Sequence, residues 1–238
     1  MPAMSRRQRR RIETTAEIKE LALRQLASGG AHGVTLRGIA REMGMTPAAL
    51  YGYFDTRDDL LETLAADTYN RLADEQEAAR DALPEADTAG RLLAVAGVFR
   101  DWARANPAEF RLTYGDSSPG VAAPSENVVA ASRRCCMILV GQVDAVWKDA
   151  PQELRQAQAD WEDFVPSLAA LTREHFPHLP PQALLASLRV WGRMYGPVAL
   201  EVFGQFGPEA NPQVLFQAEM NSALDMLGLK PPASKPSR

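Results

Sequence analysis

The sequence predicts an all-α protein of two domains: an N-terminal three-helix domain containing a helix-turn-helix, and a C-terminal helical bundle. Three observations carry this. Apolar residues recur at three- and four-residue steps, and no run of strict alternation is long enough for a strand. Prolines and glycines punctuate the periodic segments at intervals suited to helices. Charge is also split along the chain. Residues 1–57 hold 10 Lys/Arg against 5 Asp/Glu, a net of +5, while residues 58–238 hold 16 against 25, a net of −9. The expected division is 1–57, a basic arm and the helix-turn-helix; 58–229, the bundle; and 230–238, a disordered tail.

The first helix is expected from about Ile12 to Ser28, with Ile18, Leu21, Ala22, Gln25 and Leu26 inward and Gly29-Gly30 as its stop. Thr35 is a good N-cap for a second helix that turns Leu36, Ile39, Ala40 and Met43 inward. Gly44 allows a sharp turn. Thr46 and Pro47 then open a third helix, to about Tyr53, as N-cap and first helical residue. Asp55 to Asp59 marks the start of a fourth, which reaches Asp81 before Pro84. Beyond it, helices are expected at Thr88–Asn106, Asn127–Lys148, Gln152–Phe164, Gln182–Phe206 and Pro212–Leu227, with a loop at 115–126 and a break or kink at Pro166. In the 182–206 helix the expected inward seam is Leu184, Leu188, Trp191, Tyr195, Val198, Val202 and Phe206, with a kink at Pro197.

Composition excludes several functions. A formal charge of −4 rules out a uniformly basic coat, and no window approaches 18 consecutive apolar residues. The basic N-terminus leads into no apolar stretch, so the expected location is the cytoplasm. Adjacent Cys135 and Cys136 cannot form a disulfide framework. His175 and His178 lack partners at metal-ligand spacing, His32 sits in a glycine-rich turn, and no phosphate-cradling loop appears. No metal, cofactor or catalytic activity is expected.

Residues 34–57 are the most informative stretch. Two short capped helices joined by a glycine turn match helix-turn-helix geometry, which sets the start of the second helix against base edges in a major groove. Thr35 and Thr46 add hydroxyls at the helix starts, Arg37 and Arg41 add charge, and Tyr51 and Tyr53 add phenols. The alternative is an ordinary pair of core helices in which Ala48, Ala49 and Leu50 simply pack. A helical ligand-binding or enzymatic protein with an idle helix-turn-helix would look the same. The run Arg6 to Arg11 reads either as a flexible arm along phosphates or as a solubilising tail.

A resemblance favours the first reading. Thr35-Leu36-Arg37-Gly38-Ile39-Ala40, Gly44-Met45-Thr46, Leu50-Tyr51-Gly52-Tyr53-Phe54 and Arg57 resemble, at matching spacing, the N-terminal domain of the TetR family of bacterial transcriptional regulators. The resemblance implies phosphate contacts by Thr35, Tyr51 and Arg57, and base or groove contacts by Arg37, Met45, Thr46, Pro47, Ala48 and Tyr53. Gly52 departs from the second aromatic common there, and Arg57 stands where lysine is usual.

Trp191-Gly192-Arg193-Met194-Tyr195-Gly196 is similar to the Trp-x-x-x-His-Gly signature of the family's WHG class, with Tyr195 in place of histidine. Asn106 to Leu112 is similar to the same class. This implies a homodimeric repressor, released from a palindromic duplex operator by a small hydrophobic effector. Phe99, Trp102, Phe110, Tyr114, Met137, Val140, Trp147 and Trp161 are the candidate pocket, although the same residues would also make an ordinary core. Gly192, Gly196, Ala199, Phe203, Phe216, Met220, Ala223 and Leu227 are the candidate dimer interface.

Overall fold

Eleven α-helices and one 3-10 turn make up the described residues, 5–115, 124–207 and 210–231, of the computed structural model, and no strand occurs among them. They divide into two compact units. The first runs to Tyr69 and includes Asn106–Ala131; the second holds Asn70–Ala105 and the chain from Ser132 onward.

In the first unit, α1 spans Arg6–Gly33, beginning well before the expected Ile12. The cause is local. The Ser5 hydroxyl accepts from the Gln8 amide at 3.2 Å, and the Gln8 side chain accepts from the Ser5 amide at 2.9 Å. This reciprocal pair satisfies two helix-end donors and lets the arginine run become helix instead of a flexible arm. Gly30, at φ 63, interrupts the helix where the glycine pair was expected to stop it. Ile18, Leu21, Ala22 and Leu26 are buried as expected, and they pack with α2 (Leu36–Glu42), α3 (Pro47–Tyr51) and the start of α4 (Arg57–Asp81).

An element the sequence reading lacks, α6 (Pro107–Tyr114), lays Ala108 and Leu112 on that core. Pro107 halts the preceding helix, yet at N1 it starts the next, where its missing N–H costs nothing. Thr68 donates to buried Glu109 at 2.8 Å, and the Tyr69 hydroxyl donates to the Thr113 carbonyl at 2.7 Å.

The second unit contains α5 (Thr88–Ala105), most of α7 (Glu126–Trp147), α8 (Gln152–Arg155), α9 (Pro166–His175), α10 (Pro181–Val202) and α11 (Pro212–Met226). The helix expected at Gln152–Phe164 is a single turn followed by a separate 3-10 turn at Trp161–Asp163. Pro166 starts α9 at N1 instead of kinking a longer helix. Pro197 lies inside a continuous α10, which stops short of the expected Phe206 because Gly204 adopts φ 66. The buried arc of α10 is Ala183, Leu184, Ala186, Ser187, Val190, Met194, Pro197 and Val198. Leu188, Trp191, Tyr195 and Val202 are only half-buried, a correction to the expected seam. Because α10 packs against α5, α8 and α11, close approach rewards its small residues over its bulky ones. Most of the loop expected at 115–126 and of the tail at 230–238 lies outside the described residues.

Candidate nucleic-acid interface

The first unit displays a capped helix pair whose inner side is closed and whose outer side is open. Thr35 caps α2, its hydroxyl accepting from the Gly38 amide at 3.1 Å, while its own amide donates to the Gln25 side chain at 3.1 Å. Gln25 in turn donates to Glu42 at 2.9 Å, so one side chain of α1 ties both ends of α2. A Cβ at position 38 would sit 2.6 Å from the Thr35 hydroxyl and 3.1 Å from Gln25, which explains a glycine in mid-helix. Gly44, at φ 64, makes the turn that a side chain would strain. Thr46 then caps α3 through the Ala49 amide at 3.2 Å.

Inward, Ile39, Ala40 and Leu50 are fully buried and Phe54 nearly so. Fully burying one such aliphatic side chain is worth about 1.5–3 kcal/mol, which sets the orientation of a five-residue helix that could not persist alone. Outward, Thr35, Arg37, Thr46, Pro47, Ala48 and Tyr51 are exposed and Met45 is half-buried. Tyr51, at 46% exposure, projects its ring into solvent. These residues therefore share the solvent side of one small unit, with hydroxyls, a guanidinium and a methyl group available to a ligand.

Two members of the expected set are engaged within the chain. Arg57 donates to the Ala31 carbonyl at 2.6 Å and pairs with Asp58 at 3.3 Å, while its Nε is buried with no partner. It bolts the start of α4 to the end of α1. Tyr53 lies beneath the Arg11 guanidinium, 4.9 Å from the ring centroid, and Arg11 also donates to the Gly52 carbonyl at 3.0 Å. Neither contact is visible in a linear motif, because each joins residues far apart in sequence.

The candidate pocket residues fall in both units. Phe110 and Tyr114, with ring centroids 5.3 Å apart, belong to the first. In the second, Phe99 is fully buried, lying 6.3 Å from Trp102 and 5.4 Å from Trp191, whose ring stacks on Tyr195 at 5.2 Å. Val140 is buried, and Met137, Trp147 and Trp161 are half-buried. Trp161 carries Arg173 over its ring at 5.8 Å. Burial pushes the Cys135 thiol up to about 12 and raises that of Cys136, which leaves neither as a ready nucleophile.

Of the candidate interface residues, Phe216, Met220, Ala223 and Leu227 are buried within the chain's own second unit. Gly192, Gly196, Ala199 and Phe203 keep surface. Gly192 and Gly196 line an open groove of about 460 Å³ between α10 and α11, together with Arg189, Arg193, Pro197, Leu200, Leu215 and Glu219. Arg193 and Glu219 pair within it at 2.7 Å. Among the described residues there is no group of three or more potential metal ligands, and no helix is long and apolar enough to cross a membrane.

Comparison with known proteins supplies the context. Residues 18–64 match the bacterial regulatory proteins of the tetR family, and residues 92–223 match the tetracyclin repressor-like C-terminal domain. The HTH-type transcriptional regulator Rv1816 of Mycobacterium tuberculosis is 32% identical over 228 residues, spanning 91% of this chain and 93% of that protein. Mb1846 of Mycobacterium bovis, an HTH-type transcriptional regulator too, matches to the same extent. The solved structure of SCO4313, described as a regulatory protein, aligns with TM-score 0.71 at 31% identity over 93% of this chain and 100% of its own. A protein of unknown function from Rhodococcus sp. RHA1 shares the fold, with TM-score 0.66 at 21% identity over 90% of this chain and 94% of its own. With both halves matched and the helix-turn-helix formed, the chain belongs to the TetR family of bacterial transcriptional regulators.

Proposed function

We propose that this regulator is a cytoplasmic repressor that binds a palindromic operator as a homodimer and leaves it when a small hydrophobic effector enters the C-terminal body. The observation carrying the reading is the exposed arc of Thr46, Pro47, Ala48 and Tyr51 on a helix whose opposite side is fixed by Leu50. Each subunit would set α3 into one major groove, with half-sites on the order of 34–36 Å apart or a multiple of that. Thr35 and Tyr51 would hold phosphates, while Arg37, Met45, Thr46, Pro47, Ala48 and Tyr53 would meet bases or groove walls. Arg57 would act chiefly by holding α4 against α1, since two of its nitrogens are already engaged.

The groove on α10 and α11 suits a second copy of the chain, because Gly192 and Gly196 permit close helix approach and the exposed Leu200 lines it. Trp191 to Gly196 supports placing the body in the WHG class. The aromatic set around Phe99, Trp102 and Trp191 would suit an apolar or aromatic effector. Release needs only a differential affinity of effector for two arrangements, typically about 1–3 kcal/mol.

The test is selection of random duplex DNA by the purified protein, followed by binding of the enriched sequence at two salt concentrations. A palindrome bound with steep salt dependence is expected, since phosphate contacts release counterions. Tyr51→Ala should weaken that binding about a hundredfold, since the homodimer loses one charge-assisted hydrogen bond in each half-site, with unchanged thermal stability. No enrichment, or unaltered affinity in Tyr51→Ala, would overturn the assignment.

A further inference from the structure

The start of α1 is electrostatically unfavourable as it stands. Arg6, Arg7, Arg9, Arg10 and Arg11 fall within its first two turns, and no acidic residue lies in the first. Cations at a helix N-terminus oppose the helix dipole, and the pairs Arg6–Arg10 and Arg7–Arg11 set like charges one turn apart. The side chains of Arg6, Arg7, Arg9 and Arg10 are exposed, and no ion pair or hydrogen bond to them occurs among the described residues. The charge is thus held in an ordered, capped helix with no ion pair to neutralise it among the described residues.

Arg11 says where this helix start lies. It donates to the carbonyl of Gly52, the C-cap of α3, and covers the Tyr53 ring. The arginine turn is therefore tethered to one end of the helix assigned to the major groove. At about 100° per residue, Arg7 lies about 40° around the axis from Arg11 and about 6 Å further along it. Arg10 lies about 100° from Arg11 on the same side as Arg7, and Arg9 about 160° away, on the opposite side.

We propose that the first turns of α1 form a second DNA contact, in which Arg7 and Arg10 bind the phosphate backbone beside the groove entered by α3, while Arg9 faces away. This inference rests on the reading of α3 as the recognition helix. The occupant is a duplex phosphate backbone, chosen because the patch is continuous with that face through Arg11 and because a polyanion supplies the missing countercharge. The contact is sequence-independent and adds affinity outside the bases that α3 reads.

The test uses the full-length protein and the duplex enriched by selection. Arg7→Ala, Arg10→Ala and Arg9→Ala are each titrated across salt concentration, on the full duplex and on one trimmed to the recovered half-sites. Alanine at these exposed helical positions keeps helix propensity, so folding is preserved. Arg7→Ala and Arg10→Ala should each lower the slope of log affinity against log salt by about 1.8, that is about 0.9 for the phosphate lost in each of the two half-sites. Each should also weaken binding about five- to tenfold on specific and scrambled duplexes alike. Trimming the flanks should weaken the wild type more than either of these two variants, each of which has already lost one of the two contacts, and Arg9→Ala should match the wild type within about twofold. Equal losses in all three variants, or none in Arg7→Ala and Arg10→Ala, would overturn the contact while leaving α3 as the reader. A wild type that binds no duplex would overturn both.

Discussion

Two helix pairs carry the surfaces proposed to be functional, and they are held in different ways. In α2–α3 the starts are fixed by residues within the motif, Thr35 on the Gly38 amide and Thr46 on the Ala49 amide, three positions apart in each case. In α10–α11 the tie is long-range. Arg100 of α5 makes paired hydrogen bonds to Glu201 at 2.9 and 3.0 Å, donates to Gln213 and lies over the Phe216 ring at 5.3 Å. Arg104 adds a third bond to Glu201 at 3.0 Å. The partners of Arg100 are more than a hundred positions away in the chain, and Arg100 is only 7% exposed. The surface proposed to read DNA thus has its helix starts set by local chemistry, with ties from Gln25 and Arg11 of α1 added, whereas the one proposed to meet a second subunit is held by tertiary chemistry.

The comparison breaks most visibly at Arg100. Its removal leaves the half-buried carboxylate of Glu201 to Arg104 alone, and losing one partner of a buried pair typically costs about 3–5 kcal/mol. Arg100→Ala should therefore lower the unfolding free energy of the second unit by that order. All four tryptophans, Trp102, Trp147, Trp161 and Trp191, lie in this unit, so denaturation followed by their fluorescence reads it directly. The double change Arg100→Met with Glu201→Leu should recover much of the loss, because a packed apolar pair needs no compensating charge. A double variant as unstable as Arg100→Ala would show that the hydrogen-bonded charge pair itself stabilises the unit, and that the stranded Glu201 carboxylate does not account for the loss.

A smaller effect is expected at the local caps. Thr35→Ala and Thr46→Ala should each cost about 1 kcal/mol, the usual worth of an N-cap. The change should appear as roughly fivefold faster hydrogen exchange at the Gly38 and Ala49 amides respectively. Serine at either position should restore protection. Exchange that is unchanged in Thr46→Ala would mean that Leu50 alone holds α3.

The same contrast decides what the sequence makes legible. Thr35, Gly44, Thr46 and Pro47 announce their structure because each acts on neighbours within four residues, and the helix-turn-helix follows from them. The early start of α1 was equally local, encoded by Ser5 and Gln8, but the adjacent arginines mask it as a tail. In the second unit the bounds of α5, α7, α10 and α11 were legible to within a few residues, but not the faces they bury or the break-up of 152–175. Which face of α10 is buried depends on three neighbours arriving from α5, α8 and α11, so periodicity placed Trp191 and Tyr195 inward where Val190 and Met194 go. Phe216, Met220, Ala223 and Leu227 share a stripe, but a stripe does not say whether its cover comes from the same chain, and here it does. The bonds from Arg11 to Gly52 and from Arg57 to Ala31 have no sequence signal at all, since arginine at either position reads equally well as free charge.

Gly192 and Gly196 offer the subtlest separation of the two kinds of surface. Within one chain, a Cβ at either position meets nothing within 4 Å. Alanine there should stabilise α10 by about 0.5–1 kcal/mol per site, because glycine loses more backbone freedom on helix formation. A second copy seated in the groove would meet those same methyl groups and be held further away. The double variant Gly192→Ala, Gly196→Ala should therefore show opposite signs in two measurements. Thermal unfolding at high dilution should shift upward, while sedimentation equilibrium should give a dimer dissociation constant several-fold weaker. Gain in both would place the subunit contact on another face of the second unit, and the glycines would then be left with no packing reason to be there.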